Sequence, residues 1–227
     1  MLKLHYAPDN ASLIVRLVLE ELGLPYETLL VDRAANAQRS AAYLKVNPMG
    51  TIPALETPDG VVFETAAILL YLADRAAALA PALTSPERGP FLSWLFATSN
   101  GLQMDLRQHF YAERYASGPA AAHREIVSDR LRVHLGRYEA LLEEAHPWFG
   151  APQPTLLDFY VAVPLRWCAL YLQGEDWFNL ADWPHLYALA ERIETRPSMR
   201  AAMRAEGLGD RPLSAPVPAS PPEGVAR

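Results

Sequence analysis

The sequence predicts an α/β domain over residues 1–79 and an all-helical domain over residues 91–210. In the first part, runs rich in β-forming residues alternate with segments of helical hydrophobic spacing, in the order βαβ and then ββα. In the second part, apolar residues follow helical spacing and no strand pattern competes. Residues 80–90 contain three prolines and one glycine, a composition that predicts a linker between the two domains.

The composition predicts a soluble globular protein. With 227 residues, 51% of them hydrophobic, and a net charge of -6, the chain can bury one or two cores and lacks the basic excess typical of nucleic-acid binding. Because Cys168 is the single cysteine and no Cys/His cluster has zinc spacing, we expect neither dithiol chemistry nor a metal. The start of the chain does not resemble a signal peptide, and no apolar run is long enough to span a membrane. We therefore expect a cytoplasmic protein without a membrane partner.

Hydrophobic pattern and chain breakers define the first three elements. Residues 2–6 are a short strand candidate that ends at Ala-Pro-Asp-Asn, residues 7–10. A helix is predicted over about residues 12–22, where the apolar side chains share one face. Gly-Leu-Pro at residues 23–25 stops this helix, and residues 26–31 form the second strand.

Pro53 opens an apolar run within the segment Asn47–Leu55, which is unusual because proline cannot donate to a sheet ladder. Pro48 and Gly50 indicate a sharp turn just before that strand. Two interpretations are open: a tight loop with a trans proline, or a cis bond between Ile52 and Pro53. A cis bond would leave the backbone amide and carbonyl of Ile52 unpaired by the sheet, so that a peptide-like ligand could pair with them.

A hairpin and a helix complete the first domain. Residues 53–56 and 61–63 are short strands joined by Thr-Pro-Asp-Gly, residues 57–60, in which proline sets φ and glycine accepts a positive φ. Glu64 and Thr65 then open a helix that continues to about residue 78.

Beyond the linker, helices are predicted over residues 91–117, 119–145, 155–172 and 186–195, followed by a short helix that Pro197 opens. The third is apolar nearly all round, which is typical of a central helix in a bundle. Thr155 and Asp158 match a capping box at its start, and we expect this pair to be structural. Residues 211–227 are proline-rich with little to bury, so we expect a disordered tail.

The order of these features carries a resemblance over nearly the whole chain. It consists of βαβ and ββα, the Asn47–Leu55 segment before the hairpin, Glu64-Thr65-Ala-Ala-Ile at the next helix start, and an all-helical second half with Thr155-Leu-Leu-Asp-Phe and Arg192-Ile-Glu-Thr-Arg-Pro. In this order and spacing, the chain resembles a cytosolic glutathione transferase of bacterial type.

The resemblance implies a thioredoxin-like N-terminal domain, a helical C-terminal domain that holds a second substrate, and a homodimer. It also implies glutathione as cosubstrate without a metal, and a detoxifying reaction that joins glutathione to a hydrophobic alkyl or aryl electrophile. It favours the cis form of the bond between Ile52 and Pro53.

Glutathione carries a carboxylate and an ammonium at its γ-glutamyl end, so its site needs hydroxyl or amide donors and a carboxylate. The Thr65 hydroxyl and amide can hold the carboxylate at a helix N-terminus, and Glu64 can meet the ammonium. A plain helix cap and a solvated carboxylate are the alternative for this pair. The resemblance implies that Ile52 pairs its backbone with the cysteinyl part. Arg39 and Lys45 are the cationic candidates for the glycine carboxylate.

The reaction requires the glutathione sulfur as a thiolate near neutral pH, although a free thiol has a pKa of about 8.5. Hydroxyl or amide donors at a helix N-terminus lower that pKa because they stabilise the charged form. Three residues near the first helix start qualify, namely Tyr6, Asn10 and Ser12. We predict Asn10 and Ser12 as joint donors with Tyr6 as the second choice, and plain N-capping is the alternative for Asn10 and Ser12.

The chain departs from the family pattern at this point. Tyr6 stands at the place of the catalytic tyrosine of the tyrosine-type classes, but Asn10 replaces the serine of the serine-type classes and Ala11 the cysteine of the cysteine-type class. The missing cysteine argues against mixed-disulfide chemistry. Cys168 does not replace it, because we expect a buried and inert thiol in an apolar helix.

Second-substrate residues are expected on the first long helix of the second domain. Gln103, Arg107, Tyr111 and Tyr115 are spaced four apart and share one predicted face, although an aromatic stripe is more often part of a core. His109 is a weaker candidate, which we expect to be an ordinary surface histidine.

Two hypotheses follow. The first is an enzyme that activates glutathione as a thiolate and adds it to a hydrophobic electrophile. The second is a non-catalytic binding or interaction protein of the same fold, which the missing standard activator keeps open.

Overall fold

The computed structural model describes residues 1–171 and 177–226. The chain forms two compact units. The first comprises Met1–Ala80, Glu194–Pro212 and Val217–Arg227, and the second comprises Pro81–Ile193 and Leu213–Pro216.

A four-stranded mixed sheet forms the centre of the first unit. Its strands are β1 (Leu2–Tyr6), β2 (Tyr26–Leu30), β3 (Ala54–Thr57) and β4 (Gly60–Phe63), in the spatial order β2-β1-β3-β4. β1 is parallel to β2 and antiparallel to β3, and β3 and β4 form the expected hairpin. This is the βαβ-ββα order of the predicted thioredoxin-like fold.

Helices cover the sheet: α1 (Ser12–Glu21), α2 (Ala41–Val46) and α3 (Thr65–Ala76). α1 is buried from Ser12 to Leu19, which fits its apolar sequence. α2 begins where the Ser40 hydroxyl accepts a hydrogen bond from the Tyr43 amide, a standard N-cap.

The last helix, α10 (Pro197–Glu206), belongs to the first unit, whereas the sequence placed it in the helical domain. It lies against α1, where the hydroxyl of Ser198 and the guanidinium of Arg196 both donate to the carboxylate of Glu21. Polar side chains far apart in sequence make this contact, so hydrophobic spacing did not reveal it.

The second unit contains α4 (Arg88–Ala97), α5 (Met104–Phe110), α6 (Ala112–Tyr115), α7 (Ala120–Glu143), α8 (Leu156–Leu170) and α9 (Pro184–Glu194). The predicted helix over 91–117 is therefore not continuous. A π-helical segment, Thr98–Gln103, separates α4 from α5, and Tyr111 leaves helical geometry with φ -112° and ψ 40°. α8 is buried almost throughout, and its predicted end at Leu172 lies outside the described residues.

The capping box at the start of α8 is confirmed. The Thr155 hydroxyl accepts from the Leu157 amide, and the Asp158 carboxylate accepts from the Thr155 amide at 2.8 Å. Asp158 is fully buried and also accepts from the Gly150 amide at 2.9 Å and from Arg192 at 3.0 Å.

The C-terminal tail has more to bury than we expected, so the expectation of a disordered segment is wrong for the described residues. Leu213 is 0% exposed in the second unit. In the first unit, the Ser220 amide donates to the Gly207 carbonyl at 2.8 Å, and Glu223 accepts from the Tyr6 hydroxyl. Proline-rich composition indicated disorder, but single apolar and acidic side chains attach the tail.

No helix among the described residues is long and apolar enough to cross a membrane.

Replacing Thr155 by alanine should lower the free energy of unfolding by about 1–2 kcal/mol, because the first turn of α8 loses its N-cap. Urea denaturation followed by circular dichroism measures this change. Thr155→Ser, which keeps the hydroxyl, is the matched control and should stay close to the unmodified protein. Equal stability of the alanine and serine variants would contradict a role for the hydroxyl.

Candidate functional site

The candidate site lies at one edge of the sheet, where β1 and β4 end and β3 begins. Ala54 pairs with His5 on one side and with Phe63 on the other. Ile52 precedes Ala54 by two residues, Ala7 follows the end of β1, and Thr65 follows Phe63 by two residues at the start of α3. α1 and α3 start at the same edge, so sheet pairing brings three separate sequence motifs together.

Ile52 lies in a hydrogen-bonded loop, and its peptide bond to Pro53 is cis, the form that the resemblance favoured. The Thr51 carbonyl accepts from the Tyr43 hydroxyl and from Asn47 Nδ2, both at 2.7 Å. Asn47 is fully buried, and its Oδ1 accepts from the Met49 amide at 3.0 Å.

The backbone of Ile52 is open to a ligand. Among the described residues, neither its amide nor its carbonyl has a hydrogen-bond partner, although the strand that follows is paired on both sides. An extended peptide could therefore pair with Ile52 as an added strand residue.

The two cationic candidates differ in position. Arg39 is exposed but lies against the same loop, and its guanidinium donates to the Met49 carbonyl at 3.4 Å. Gly50 has φ +60°, and a Cβ there would come within 2.8 Å of the Arg39 guanidinium. Lys45 is exposed near the end of α2, with no hydrogen bond or ion pair in the described part of the chain.

Glu64 and Thr65 form the start of α3. Glu64 has φ 71° and ψ 122°, a conformation that costs about 1–3 kcal/mol for a residue other than glycine and that occurs preferentially at functional sites. Its carboxylate is exposed and unpaired within the described ranges. Thr65 is 4% exposed at the first position of α3, where the helix dipole favours an anion.

The hydroxyl groups of Ser12 and Tyr6 both donate hydrogen bonds to other groups of the protein. The Ser12 hydroxyl is fully buried, donates to the Ala7 carbonyl at 3.0 Å and accepts from the Ala7 amide at 3.2 Å. The Tyr6 hydroxyl donates to Glu223, and burial together with that carboxylate raises the pKa of Tyr6. Both groups stabilise the loop, and neither proton is directed at a ligand.

Asn10 remains available. Its side chain is partly exposed and makes no hydrogen bond to any residue that the structure describes. Directly after it, the backbone amides of Ala11 and Ser12 have no partner in the same part of the chain. The start of α1 thus offers one side-chain amide and two backbone amides to an anion.

The four second-substrate candidates do not lie on one continuous helix. The hydroxyl of Tyr160 donates to the side-chain oxygen of Gln103, so this residue is directed at α8. Arg107 donates to the hydroxyl of Tyr115 at 2.8 Å, and its guanidinium lies 5.6 Å from the centre of the Tyr111 ring. The π-helical segment and the break at Tyr111 change the angular positions that regular helical spacing predicts.

His109 is not a surface histidine. It is 1% exposed, its Nε2 lies 3.1 Å from the Ser128 hydroxyl, and its ring stacks on Trp177. Burial, with a smaller effect of nearby Arg124, lowers the pKa of His109 to about 4, so the ring is neutral near pH 7. Cys168 is buried as expected, and burial raises the pKa of its thiol.

Within residues 1–171 and 177–226, no group of three or more His, Cys, Asp or Glu side chains is arranged to hold a metal ion.

Comparison with known proteins decides the family. The profile described as "Glutathione S-transferase, N-terminal domain" matches residues 11–75, and "Glutathione S-transferase, C-terminal domain" matches residues 121–192. The chain belongs to the glutathione S-transferase family. Glutathione S-transferase GST-4.5 of Xanthomonas campestris pv. campestris is 30% identical over 211 residues, which cover 91% of this chain and 100% of that protein.

Two further proteins are similar to this glutathione S-transferase family member. The disulfide-bond oxidoreductase YfcG of Escherichia coli is 30% identical over 219 residues, 92% of this chain and 98% of that protein. The structure of a sphingomonad glutathione S-transferase complexed with glutathione has a TM-score of 0.76 at 31% identity and covers 91% of this chain and 100% of its own.

The sequence did not reveal which residues hold the site loops. Asn47 was visible only as the start of an Asn-Pro turn, and nothing in the sequence indicated that its amide is buried. Tyr43 gave no signal, because its partner, the Thr51 carbonyl, is brought to it by folding. A carboxylate at the last residue of a helix, where the dipole disfavours it, is the one local sign that Glu206 has a distant partner.

Replacing Thr65 by valine should weaken glutathione binding about tenfold to a hundredfold, because a hydrogen bond to a charged carboxylate contributes about 1.5–3 kcal/mol. Isothermal titration calorimetry measures the change. Thr28→Val, at an exposed position of β2 on the other side of the sheet, is the matched control and should bind normally. Unchanged affinity of the Thr65 variant would remove Thr65 from the site.

Proposed function

We propose that this protein is a glutathione transferase that activates glutathione as a thiolate and adds it to a hydrophobic electrophile. The supporting observation is that three polar features meet at one sheet edge: the unpaired backbone of Ile52, the exposed carboxylate of Glu64 at the start of α3, and the amides at the start of α1.

Each part of glutathione has a complementary group in this proposal. Thr65 and the α3 N-terminus bind the γ-glutamyl carboxylate, and Glu64 binds the ammonium. Ile52 pairs with the cysteinyl backbone. Arg39, held against the loop by Met49, is better placed than Lys45 for the glycine carboxylate because Arg39 contacts the loop that contains Ile52.

The thiolate is stabilised at the start of α1. The Asn10 side-chain amide and the backbone amides of Ala11 and Ser12 donate to sulfur, which lowers the pKa of the bound thiol. Because the Ser12 hydroxyl is bonded to Ala7, the proposal assigns only the backbone amide of Ser12 to the thiolate. Tyr6 remains the second choice.

The chemical step is a nucleophilic displacement or addition. The glutathione thiol loses its proton to solvent, and the sulfur lone pair forms a C–S bond to the electrophile. In a displacement, the leaving group departs with the bonding electron pair. In an addition, the π bond of the electrophile breaks, and its electron pair takes up a proton from solvent. The predicted second-substrate set remains Gln103, Arg107, Tyr111 and Tyr115. Within it, Arg107 donates to Tyr115, and Gln103 accepts a hydrogen bond from Tyr160.

Conjugation of glutathione to an aryl chloride, against the uncatalysed rate, tests the proposal directly. Retention on immobilised glutathione tests binding independently. Retention without a rate above background across a broad electrophile panel would favour the non-catalytic alternative. Loss of both would reject the glutathione site.

Asn10→Ala should raise the apparent pKa of the bound thiol by about one to two units, because a charge-assisted hydrogen bond of about 1.5–3 kcal/mol is lost. The rate should fall at mildly acidic pH and recover at alkaline pH, where the thiol ionises without help. A pH-rate profile measures this shift. Tyr6→Phe is the comparison and should leave the profile in place; the reverse result would assign the donor role to Tyr6.

Glutathione-dependent disulfide reduction is the second candidate, and the similarity to YfcG favours it. Two glutathione molecules would reduce a disulfide to two thiols and leave as glutathione disulfide. Because Cys168 is the only cysteine of the chain and is buried, glutathione itself would supply both sulfurs. Reduction of a small disulfide, coupled to glutathione reductase, separates this activity from conjugation.

The homodimer and the cytoplasmic location implied by the resemblance remain part of the proposal. Size-exclusion chromatography with light scattering tests the first.

A further inference from the structure

We propose that Glu206 is a positioning residue for the thiolate site, because its carboxylate holds the β1–α1 loop, residues 7–11, in the shape that presents Asn10. This inference rests on the proposed function for its catalytic consequence. The anchor itself is a structural feature that can be tested without any substrate.

Glu206 joins the loop to α1 through one carboxylate. Its side chain is 0% exposed, although it is the last residue of α10. Oε2 accepts from the backbone amide of Asp9 at 2.7 Å, and Oε1 accepts from Nε of Arg16 at 2.7 Å. The group thus contacts the residue immediately before Asn10 and the middle of the helix that follows.

The hydrogen bond from the Asp9 amide stabilises an unfavourable backbone conformation of this residue. Asp9 has φ 49°, in the left-handed region that residues other than glycine rarely adopt. A bond to a buried carboxylate favours this conformation, because any rotation that removed the amide would leave the carboxylate oxygen unpaired. Since Asp9 precedes Asn10, its backbone angles determine where the Asn10 side chain points.

Arg16 is fixed as the counter-charge. Its NH1 donates to the Tyr26 hydroxyl at 3.2 Å, and that hydroxyl donates to Glu20 at 2.6 Å. The guanidinium also lies 4.8 Å from the centre of the Tyr6 ring. These contacts prevent Arg16 from following Glu206 if the loop moves, so the ion pair defines a single position for the carboxylate.

Local helix stability does not explain a carboxylate at this position. The C-terminal end of a helix carries partial negative charge, which disfavours an acidic side chain. Burial also disfavours the carboxylate and raises the pKa of Glu206, while Arg16 and the Asp9 amide oppose that rise. The favourable contribution therefore comes from the tertiary contacts to the loop and to α1.

A matched pair exists at the other end of α1. Glu21 accepts from Arg196 Nε at 2.9 Å and from the Ser198 hydroxyl at 2.7 Å, which also links α1 to α10. Glu21 makes no contact with the β1–α1 loop in these bonds. Glu21→Gln therefore weakens the same helix pair and leaves the Asp9 anchor intact.

Hydrogen exchange followed by mass spectrometry tests the anchor without glutathione. Glu206→Gln should accelerate exchange in the peptide that contains residues 7–12, because the Asp9 amide loses its charged acceptor. Glu21→Gln should leave that peptide unchanged. Glu206→Asp, which keeps the charge but is too short to reach both partners, should act in the same direction if Glu206→Gln does not fold. Unchanged exchange in every folded Glu206 variant would overturn the inference.

The pH-rate profile tests the catalytic consequence. Glu206→Gln should lower kcat at mildly acidic pH by about tenfold to a hundredfold, as misplaced catalytic groups do. The loss should shrink at alkaline pH, and KM for glutathione should change little because Ile52 and Thr65 are untouched. A merely structural role would lower kcat equally at all pH values. Absence of conjugation by the unmodified protein would reject the proposed function, whereas the exchange experiment would still decide the role of Glu206.

Discussion

The antiparallel pairing of β3 with both β1 and β4 is the constraint on which the candidate site depends. It brings the end of β1, the start of β3 and the end of β4 to one edge, so that Ile52, Thr65 and the loop before α1 become neighbours. A slip of one residue would exchange the two faces of β3 and expose Leu55, which is now fully buried. The same strand register therefore buries the core side of the sheet and positions the candidate site.

The same edge contains polar groups that the protein leaves unpaired and others that it satisfies fully. The Ile52 backbone and the amides at the start of α1 have no hydrogen-bond partner among the described residues. In contrast, buried Asn47 bonds within the loop that contains Ile52, and buried Glu206 bonds to the loop before α1 and to Arg16. Buried polar groups are costly unless they are satisfied, and satisfied ones resist rearrangement because each partner would be left unpaired. Fully bonded side chains thus hold the loops that present open backbone to a ligand.

Prediction from the sequence was strongest where a pattern was local. Strand alternation, helix breakers and the capping box at Thr155 and Asp158 depend on neighbours in sequence, and the structure places them as predicted. The sequence-based prediction was wrong where contacts between residues far apart in sequence changed the structure that the local pattern indicates. The helix through Gln103 and Tyr111 is interrupted, His109 is buried against Trp177, and the tail is attached by Leu213 and Glu223.

The sequence by itself indicated the family, the order of the strands and of most helices, and the two motifs that we propose for the glutathione site. Those features are encoded in residue types at fixed short spacings, such as Ile52-Pro53 and Glu64-Thr65. Only the tertiary structure decided which donors near the first helix remain available. Ser12 and Tyr6 both carry a hydroxyl that could donate to a thiolate. In the fold, however, the Ser12 hydroxyl donates to the Ala7 carbonyl, and the Tyr6 hydroxyl donates to Glu223, which is 217 residues away in sequence. Whether a donor is available to a ligand depends on the acceptors that folding brings next to it, and those acceptors cannot be read from the local sequence.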